Sequence, residues 1–446
     1  MKPLELRRHK EIIAFKAENQ SITAFHAYNL EVAEISPESF SQMAPVLVTT
    51  GAIPEEMAIA DQEAYEALQE WNSEINPDAK SGRLDFGIRA LTININQICN
   101  LKCKYCAAGG DGTYGQPTNQ ISVEKTLPQL KFFLERLQPG QKFSITFIGG
   151  EPLLHPEAIR AVYEFVEEKT AELNVTPVIT VVTNGTLLKG KTLDIIRSMK
   201  IYLTISIDGP KAINDIVRPT KNSTSSTDMT LQGIEELRKD RGQIIEFGFA
   251  AVSSAENPDV LSAYRFFRTL NPDWMEFNFS ISENSPEAQQ SYLAHMNEIA
   301  KEAWQNGGEK ELRKIKQFDQ TFKHLDSQQR LENYCGAGKS YLVVDAKNRL
   351  YTCPWEVGKK EEIVGENEQL DHVELAKYSK SLIELNNCGS CWARHLCGGG
   401  CMYIHKAHTG SKHKKDSLFC ERTRSLILTS LLYYKLSRSA NSGEIL

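Results

Sequence analysis

The order of hydrophobic and polar positions predicts a small module at the start of the chain. Three short apolar runs, at 12–15, 22–25 and 30–35, are separated by polar turns, which predicts three strands. Ser36 followed by Pro37 is typical of a helix start, and positions 61–71 have helical spacing. We therefore expect residues 1–85 to form a small α+β module.

The next two hundred residues alternate between strand and helix patterns. Short apolar, β-branched runs predict six strands, at 90–96, 143–148, 178–183, 201–207, 245–252 and 274–280. Helical spacing fills the stretches between them. Such alternation predicts a parallel sheet, and six units are too few for a closed eight-fold barrel. A helical pattern at 290–330, interrupted at Gly307-Gly308, has its apolar residues at core spacing.

Three closely spaced cysteines follow the first predicted strand of this sheet. Cys99, Cys103 and Cys106 have the spacing C-x3-C-x2-C, which lets one loop turn three thiolates toward one point. Three thiolates are one too few for a tetrahedral zinc site or a four-cysteine cluster. The spacing favours a [4Fe–4S] cluster with one iron left for another ligand, and a structural zinc site is the alternative.

Composition excludes some function classes. The chain has 446 residues and a net charge of −6, with acidic and basic residues interspersed, so we expect no nucleic-acid partner. No apolar run is long enough for a membrane span, and no apolar signal core follows the N-terminus. We therefore expect a cytoplasmic protein. In that reducing compartment the ten cysteines would bind metal rather than form disulfides.

The cysteine spacing, with Tyr105 before the last cysteine, resembles the signature of radical S-adenosylmethionine (SAM) enzymes. This resemblance implies an α/β fold with a partial (β/α)6 TIM-like barrel, here residues 86–320. The active site would lie at the C-terminal ends of the strands. The resemblance further implies that the cluster binds SAM and that a 5′-deoxyadenosyl radical abstracts hydrogen from the substrate, with Tyr105 beside the cofactor.

Other strand ends match the SAM pocket of that family. The matching residues are Gly149, Gly150, Glu151, Ser206, Asp208 and Arg218. By resemblance, the Gly-Gly-Glu motif contacts the SAM amino group and the arginine pairs with the SAM carboxylate. The serine and the aspartate would contact SAM or the substrate. Each match has a plainer alternative, since Gly-Gly-Glu and Asp-Gly are also ordinary turn sequences.

The last seven cysteines, in residues 321–446, resemble the SPASM domain, which holds two auxiliary [4Fe–4S] clusters. The chain would then hold three clusters. By this resemblance the first auxiliary cluster is bound by Cys335, Cys353 and Cys401. The second is bound by Cys388, Cys391, Cys397 and Cys420. With three cysteines, the first cluster has either an open iron or a non-cysteine ligand. A pair of zinc knuckles is the alternative.

A β-hairpin is expected between Cys335 and Cys353. Its turn would be Ala346-Lys347-Asn348, where the family usually has glycine at the last position. Asparagine tolerates the left-handed conformation that glycine adopts there, so the hairpin is expected despite the difference.

Together these resemblances imply a peptide maturase. Its partners would be a precursor peptide and an external reductant, flavodoxin- or ferredoxin-like, and the product a crosslink or a backbone modification. The N-terminal module would be either winged-helix-like, binding a leader peptide as an added strand, or a packing extension of the barrel.

Two other functions remain as alternatives. One is a formylglycine-forming enzyme similar to anaerobic sulfatase maturases, which have aspartate where Pro354 follows Cys353. That branch also lacks so long an N-terminal extension. The other is a non-catalytic iron–sulfur carrier, which would need no SAM pocket.

Overall fold

The computed structural model describes residues 5–16, 21–49, 59–74, 87–106 and 120–441, with the side chains of the last two residues left out. The strands are β1 (Leu6–His9), β2 (Ile12–Lys16), β3 (Ile22–His26), β4 (Glu31–Glu34), β5 (Ala44–Pro45), β6 (Ala90–Asn94), β7 (Lys142–Ile148), β8 (Thr176–Thr183), β9 (Tyr202–Ser206), β10 (Glu246–Ser253), β11 (Trp274–Phe279), β12 (Tyr341–Val344), β13 (Arg349–Tyr351), β14 (Ile363–Glu366) and β15 (Gln369–Leu370). The helices are α1 (Pro37–Ser41), α2 (Gln62–Ser73), α3 (Val123–Leu134), α4 (Pro156–Glu172), α5 (Gly190–Arg197), α6 (Lys211–Val217), α7 (Ser226–Lys239), α8 (Val260–Leu270), α9 (Pro286–Leu312), α10 (Lys316–Ser327), α11 (His372–Ala376), α12 (Leu382–Leu385), α13 (Arg394–Cys397), α14 (Met402–Thr409) and α15 (Ser417–Asn441).

The chain divides into two compact units that each combine distant segments. The first unit consists of Met1–Leu84, Asn284–Cys335 and Lys380–Leu446. The second consists of Asp85–Glu283 and Gly336–Ser379. This division cuts across the three segments 1–85, 86–320 and 321–446, whose standing as separate domains stays a prediction. The junction near residue 85 lies outside the described residues.

The first unit contains an antiparallel sheet of five strands in the order β4-β3-β2-β1-β5. Its central strands are buried on both faces, which explains their nearly continuous apolar runs. On one face Phe15 and Phe25 pack with Leu325 of α10 and Leu431 of α15. On the other face Ile12 and its neighbours pack against the helices α1 and α2. The module therefore shares a core with the C-terminal helix.

The second unit is organised around a parallel sheet. Strands β6 to β11 pair in chain order, each parallel to the next, at the positions that the sequence predicts. Helices α3 to α8 lie in the connections. In the described part of the chain β11 pairs with β10 alone, so the sheet is open. The α/β partial-barrel prediction is confirmed.

The predicted hairpin extends this sheet. Strand β12 pairs in parallel with β6, and β13, β14 and β15 follow in antiparallel order. Asn348 has a φ of 62°, so the asparagine adopts the left-handed turn conformation. The hairpin between two of the cysteines thus belongs to the barrel unit.

Long helices complete the first unit. Helix α9 is interrupted at Gly307 and Gly308, where the sequence predicts a break, and α10 and α15 follow it in the same unit. Among the helices of the described ranges, none combines the length and apolar character that crossing a bilayer requires.

Candidate functional site

The loop with the first three cysteines is held against the segment that follows α6. Leu101 and Thr220 form an isolated antiparallel bridge. The amide of Lys102 donates to the carbonyl of Pro219 at 2.9 Å, and that of Lys104 to the carbonyl of Val217 at 3.0 Å. This pairing places Arg218, between those two acceptors, beside the cysteine loop.

The Gly149-Gly150 turn passes against the start of the same loop. A Cβ on Gly149 would lie 2.7 Å from the carbonyl oxygen of Asn96, and one on Gly150 would overlap the carbonyl of Ile98. The amides of Gly150 and Glu151 donate to those two carbonyls at 3.2 and 2.8 Å. Only glycine fits so close a backbone approach, so both predicted glycines have a physical reason.

Glu151 is almost fully buried at the end of β7. Its Oε1 accepts from the amide of Leu153 at 2.9 Å and from Oγ1 of Thr183 at 2.6 Å. Its Oε2 accepts from the amide of Asn184 at 2.8 Å. Burial raises the pKa of this carboxyl, against the lowering effect of these donors. The side chain thus connects the ends of β7 and β8.

Asn184 continues this network to the cysteines. Its Nδ2 donates to Oδ1 of Asn100 at 2.8 Å and lies 3.9 Å from Sγ of Cys99. Its Oδ1 accepts from the amide and the hydroxyl of Thr186 at 3.0 and 2.7 Å. The end of β8 is therefore in contact with the first cysteine and with its neighbour Asn100.

Arg218, Asp208 and Tyr105 form a buried cluster beside the second cysteine. Oδ2 of Asp208 accepts from Nε of Arg218 at 2.7 Å and from Oη of Tyr105 at 2.6 Å. Its Oδ1 accepts from the amide of Val252 at 2.7 Å. A guanidinium nitrogen of Arg218 lies 3.8 Å from Sγ of Cys103. Four predicted site residues are thereby brought together.

This cluster fixes the charge of its members. Burial alone would lower the pKa of Arg218, but the Asp208 carboxylate raises that pKa overall, so the guanidinium stays charged. Burial, together with the neighbouring carboxylate, raises the pKa of Tyr105, so its hydroxyl stays a donor. The cluster therefore supplies a buried ion pair whose cation lies beside Cys103.

The three thiols are mutual electrostatic neighbours. Burial raises the pKa of Cys99 to about 12, and the charges of Glu151, Cys103 and Cys106 add to the effect. Burial likewise raises the pKa of Cys103 to about 11, although Arg218 opposes it. Thiolates in such a site need a cationic partner, and bound metal would supply one.

Two residues that the sequence reasoning missed lie on β6 and just beyond it. Asn94 and Asn96 are fully buried. Both amide atoms of Asn94 and Oδ1 of Asn96 lack a hydrogen-bond partner in the described part of the chain. The signal was available, because polar residues alternate there with Leu91, Ile93 and Ile95 and so share the other face of the strand. Ser206 is half-buried at the end of β9.

Four C-terminal cysteines form a second cluster of thiols in the first unit. Burial raises the pKa of Cys397, and the charges of Cys391, Cys420 and Cys388 add to the effect in that order. Burial raises the pKa of Cys388 to about 11, opposed by the nearby Lys415. These are the four residues that the sequence assigns to one complete cluster.

The remaining three cysteines divide between the units. Cys335 and Cys401 belong to the first unit, where both lie near the phenol of Tyr334, and Cys353 belongs to the second. Within the described ranges, no three His, Cys, Asp or Glu side chains are grouped for one shared metal ion. A [4Fe–4S] cluster has a different requirement, because each of its cysteines binds a separate iron.

Comparison with known proteins relates part of the barrel to a family. Residues 93–244 match the family model described as "Radical SAM superfamily". An uncharacterised protein of Methanocaldococcus jannaschii is 32% identical over 178 residues, which are 40% of this chain and 57% of that protein's length. The serine-type anaerobic sulfatase-maturating enzyme of Klebsiella aerogenes is 25% identical over 331 residues, covering 69% of this chain and 78% of that enzyme.

Solved structures share the fold. The structure of anSMEcpe with bound AdoMet superposes with a TM-score of 0.63 at 20% identity, covering 80% of this chain and 96% of that one. Streptococcus suis SuiB bound to its precursor peptide SuiA gives a TM-score of 0.53 at 13% identity, covering 93% of this chain and 99% of that one. Similarity at this level of identity supports the fold and leaves the substrate to other arguments.

Proposed function

Because the chain is a radical SAM enzyme, we propose that it is a maturase that modifies a residue of a precursor peptide. When bound, a [4Fe–4S] cluster with one open iron supplies the electron that cleaves SAM and so generates the hydrogen-abstracting radical. The product would be a crosslink or a backbone modification.

The residues of the barrel have separate tasks in this proposal. Cys99, Cys103 and Cys106 hold the cluster. Arg218 offers its remaining N–H groups to the SAM carboxylate, and Asp208 holds the guanidinium in that orientation. Gly149 and Gly150 let the backbone pass close to the cysteine loop.

Three further residues bind or orient ligand groups. Glu151 joins two strand ends through three donors of the chain, and it stays a candidate contact to the SAM amino group because Oε2 accepts from only one of them. The unpartnered Oδ1 of Asn96 is available to an ammonium group. Ser206, at the end of β9, stays a candidate contact to SAM or substrate.

One observation supports this proposal above the others. Buried polar atoms without a partner cost free energy. Here one such atom, Oδ1 of Asn96, lies against Gly149 in the turn that only glycine can occupy. A bound ligand that supplies donors and acceptors at this strand end would remove that cost. A non-catalytic iron–sulfur carrier would have no need of such a ligand site.

The C-terminal cysteines would hold two further clusters. Cys388, Cys391, Cys397 and Cys420 supply a complete set of thiolates for one of them. Cys335, Cys353 and Cys401 would hold the other, with an open iron or a non-cysteine ligand. An external reductant, flavodoxin- or ferredoxin-like, and a cytoplasmic location belong to the same proposal.

Formylglycine formation is the second candidate, favoured by the similarity to the Klebsiella sulfatase-maturating enzyme. SuiB, of similar fold, is described as bound to a precursor peptide, and its match extends over more of this chain. Pro354 after Cys353 also favours the peptide maturase, as the sequence indicates.

The test is anaerobic reconstitution with SAM, dithionite and short peptides encoded beside the gene. A peptide maturase consumes SAM and changes the mass of such a peptide without creating an aldehyde. A crosslink removes two hydrogens, and excision from the backbone gives a larger loss. A sulfatase substrate peptide that instead becomes reactive toward a hydrazide would establish the formylglycine alternative. If no 5′-deoxyadenosine forms under any condition, the proposal fails.

A further inference from the structure

A basic segment lies directly beside the four-thiol cluster of the first unit. Positions 402–415 contain four lysines and three histidines and no acidic residue, in a chain whose net charge is −6. Lys414 and Lys415 are exposed and Lys412 is half-buried. The next residue, Asp416, is buried and accepts from the amide of Phe419. The same carboxylate oxygen lies 3.1 Å from Nδ1 of His408, which belongs to the segment.

The segment is fixed to the backbone that precedes the first of these cysteines. Nζ of Lys415 donates to the carbonyl of Asn387 at 2.9 Å. Nδ1 of His413 lies 3.1 Å from Oδ1 of Asn386. Within the segment, the hydroxyl of Thr409 donates to the carbonyl of Lys414 at 3.1 Å. The lysines are therefore presented on an ordered loop.

One lysine of the segment is thereby placed next to Cys388, because Lys415 contacts the carbonyl of the residue before it. Its charge can offset part of the negative charge of a bound cluster. Lys414, the residue before Lys415, is exposed.

We propose that the loop 411–415 is the docking surface for an acidic one-electron carrier that exchanges electrons with the four-cysteine centre. The proposal rests on the maturase function above, because it requires that centre to hold a cluster. Electron transfer falls steeply with distance, so a basic surface beside a redox centre suits a carrier of opposite charge. Such interfaces are small and rely on electrostatic steering of the encounter.

The test compares charge-reversed variants of the reconstituted enzyme. The probe is an acidic flavodoxin in its hydroquinone form, mixed anaerobically with the holoprotein while flavin oxidation is followed by stopped flow. The variant is Lys412→Glu with Lys414→Glu. The control is Lys301→Glu with Lys310→Glu, two exposed lysines of α9 in the same unit.

At low ionic strength the loop variant should react about tenfold more slowly than wild type. Salt should slow the wild type but not this variant. The control pair should stay within about twofold of wild type. A loop variant as fast as the control, or a control as slow as the loop variant, overturns the proposal.

A second readout separates docking from the maturase function itself. Formation of 5′-deoxyadenosine with dithionite, which needs no docking surface, should be the same in wild type and variants. If dithionite supports no reaction in wild type, the maturase proposal has failed by itself. The neutral pair Lys412→Gln with Lys414→Gln, at unchanged iron content, should show a smaller loss in the same direction.

Two further results would overturn the proposal. If the neutral pair reacts with flavodoxin as wild type does, the loop is not the docking surface. If the charge-reversed loop weakens binding of an acidic precursor peptide and leaves the flavodoxin reaction unchanged, the loop binds peptide and the proposal is wrong.

Discussion

Asp208 is the residue on which the arginine of the pocket depends. It is fully buried, and its two oxygens together accept from a guanidinium, a phenol and a backbone amide. In the proposed function, a carboxylate so occupied acts on SAM through Arg218 rather than by contact. It is therefore a positioning residue, whereas the arginine retains N–H groups for a ligand.

Replacing Asp208 by Asn should weaken SAM binding about tenfold or more, because Arg218 loses the charge that orients it. Breaking a buried ion pair should also cost about 3–5 kcal/mol of stability. The control is Asp345→Asn, which breaks the buried pair with Arg349 on the β12–β13 hairpin. Equilibrium dialysis of SAM against both variants checks this. A similar loss of SAM affinity in the control would contradict the positioning role.

At the scale of single residues, the sequence named several side chains that the structure brings together, but not the bonds between them. Arg218 and Tyr105 could be named from motif positions. Their shared carboxylate could not be deduced, because it depends on β9, α6 and the cysteine loop meeting in space. Asn94 was overlooked although the alternation of β6 points to it.

At the scale of elements, local patterns predicted the strands of the barrel well. The runs at 178–183 and 245–252 became β8 and β10 with small shifts at their ends. The pattern that predicts each strand depends only on residues near in sequence, so tertiary packing does not change the prediction. The two-residue strand β5 has no such pattern, and it forms because Arg7 and Arg8 of β1 offer an edge to pair with.

The hairpin turn gives a prediction at this scale. Nδ2 of Asn348 donates to Oγ1 of Thr126 at 2.8 Å while its backbone is left-handed. Asn348→Gly keeps the backbone conformation but loses this hydrogen bond, which should lower the free energy of unfolding by about 1 kcal/mol. Asn348→Ala should cost about 1–2 kcal/mol more, because alanine disfavours that conformation. Urea unfolding measures both.

The Thr126→Val variant provides the control for this prediction. It should destabilise the wild type more than the Asn348→Gly background, because in that background only the bond from the Thr126 hydroxyl to the carbonyl of Ser122 is left to lose. Equal costs for the glycine and alanine variants would show that the left-handed backbone has no part in the stability of the turn.

At the scale of the whole molecule, the sequence could not predict how distant segments combine. The hairpin 341–351 lies among cysteines of the C-terminal region, yet β12 pairs with the first barrel strand. The N-terminal sheet packs on α15, more than three hundred residues later. Such pairings depend on complementary surfaces, which local periodicity does not contain.

The stability of the molecule should depend on pH through His405, which is fully buried under Gly400 and Phe419. Burial lowers its pKa to about 4, from 6.5. Below pH 6.5 the unfolded chain binds the proton first, so stability present above that pH is lost as pH falls toward 4. The free energy of unfolding should be about 2 kcal/mol lower near pH 5 than at neutral pH.

Thermal unfolding of wild type and His405→Leu from about pH 7.5 to pH 5 tests this, with the exposed His372→Leu as control. The fall in Tm should be smaller in the buried variant and unchanged in the control. If all three proteins fall in parallel, His405 does not account for the acid sensitivity.

The account depends on a cluster held by three thiolates of one loop. The most direct measurement is SAM cleavage by anaerobically reconstituted protein, with Cys99, Cys103 and Cys106 replaced together by Ala. Wild type should form 5′-deoxyadenosine, and the triple variant should form none and lack about four irons per chain. Unchanged iron content and unchanged nucleotide breakdown in the variant would contradict the account.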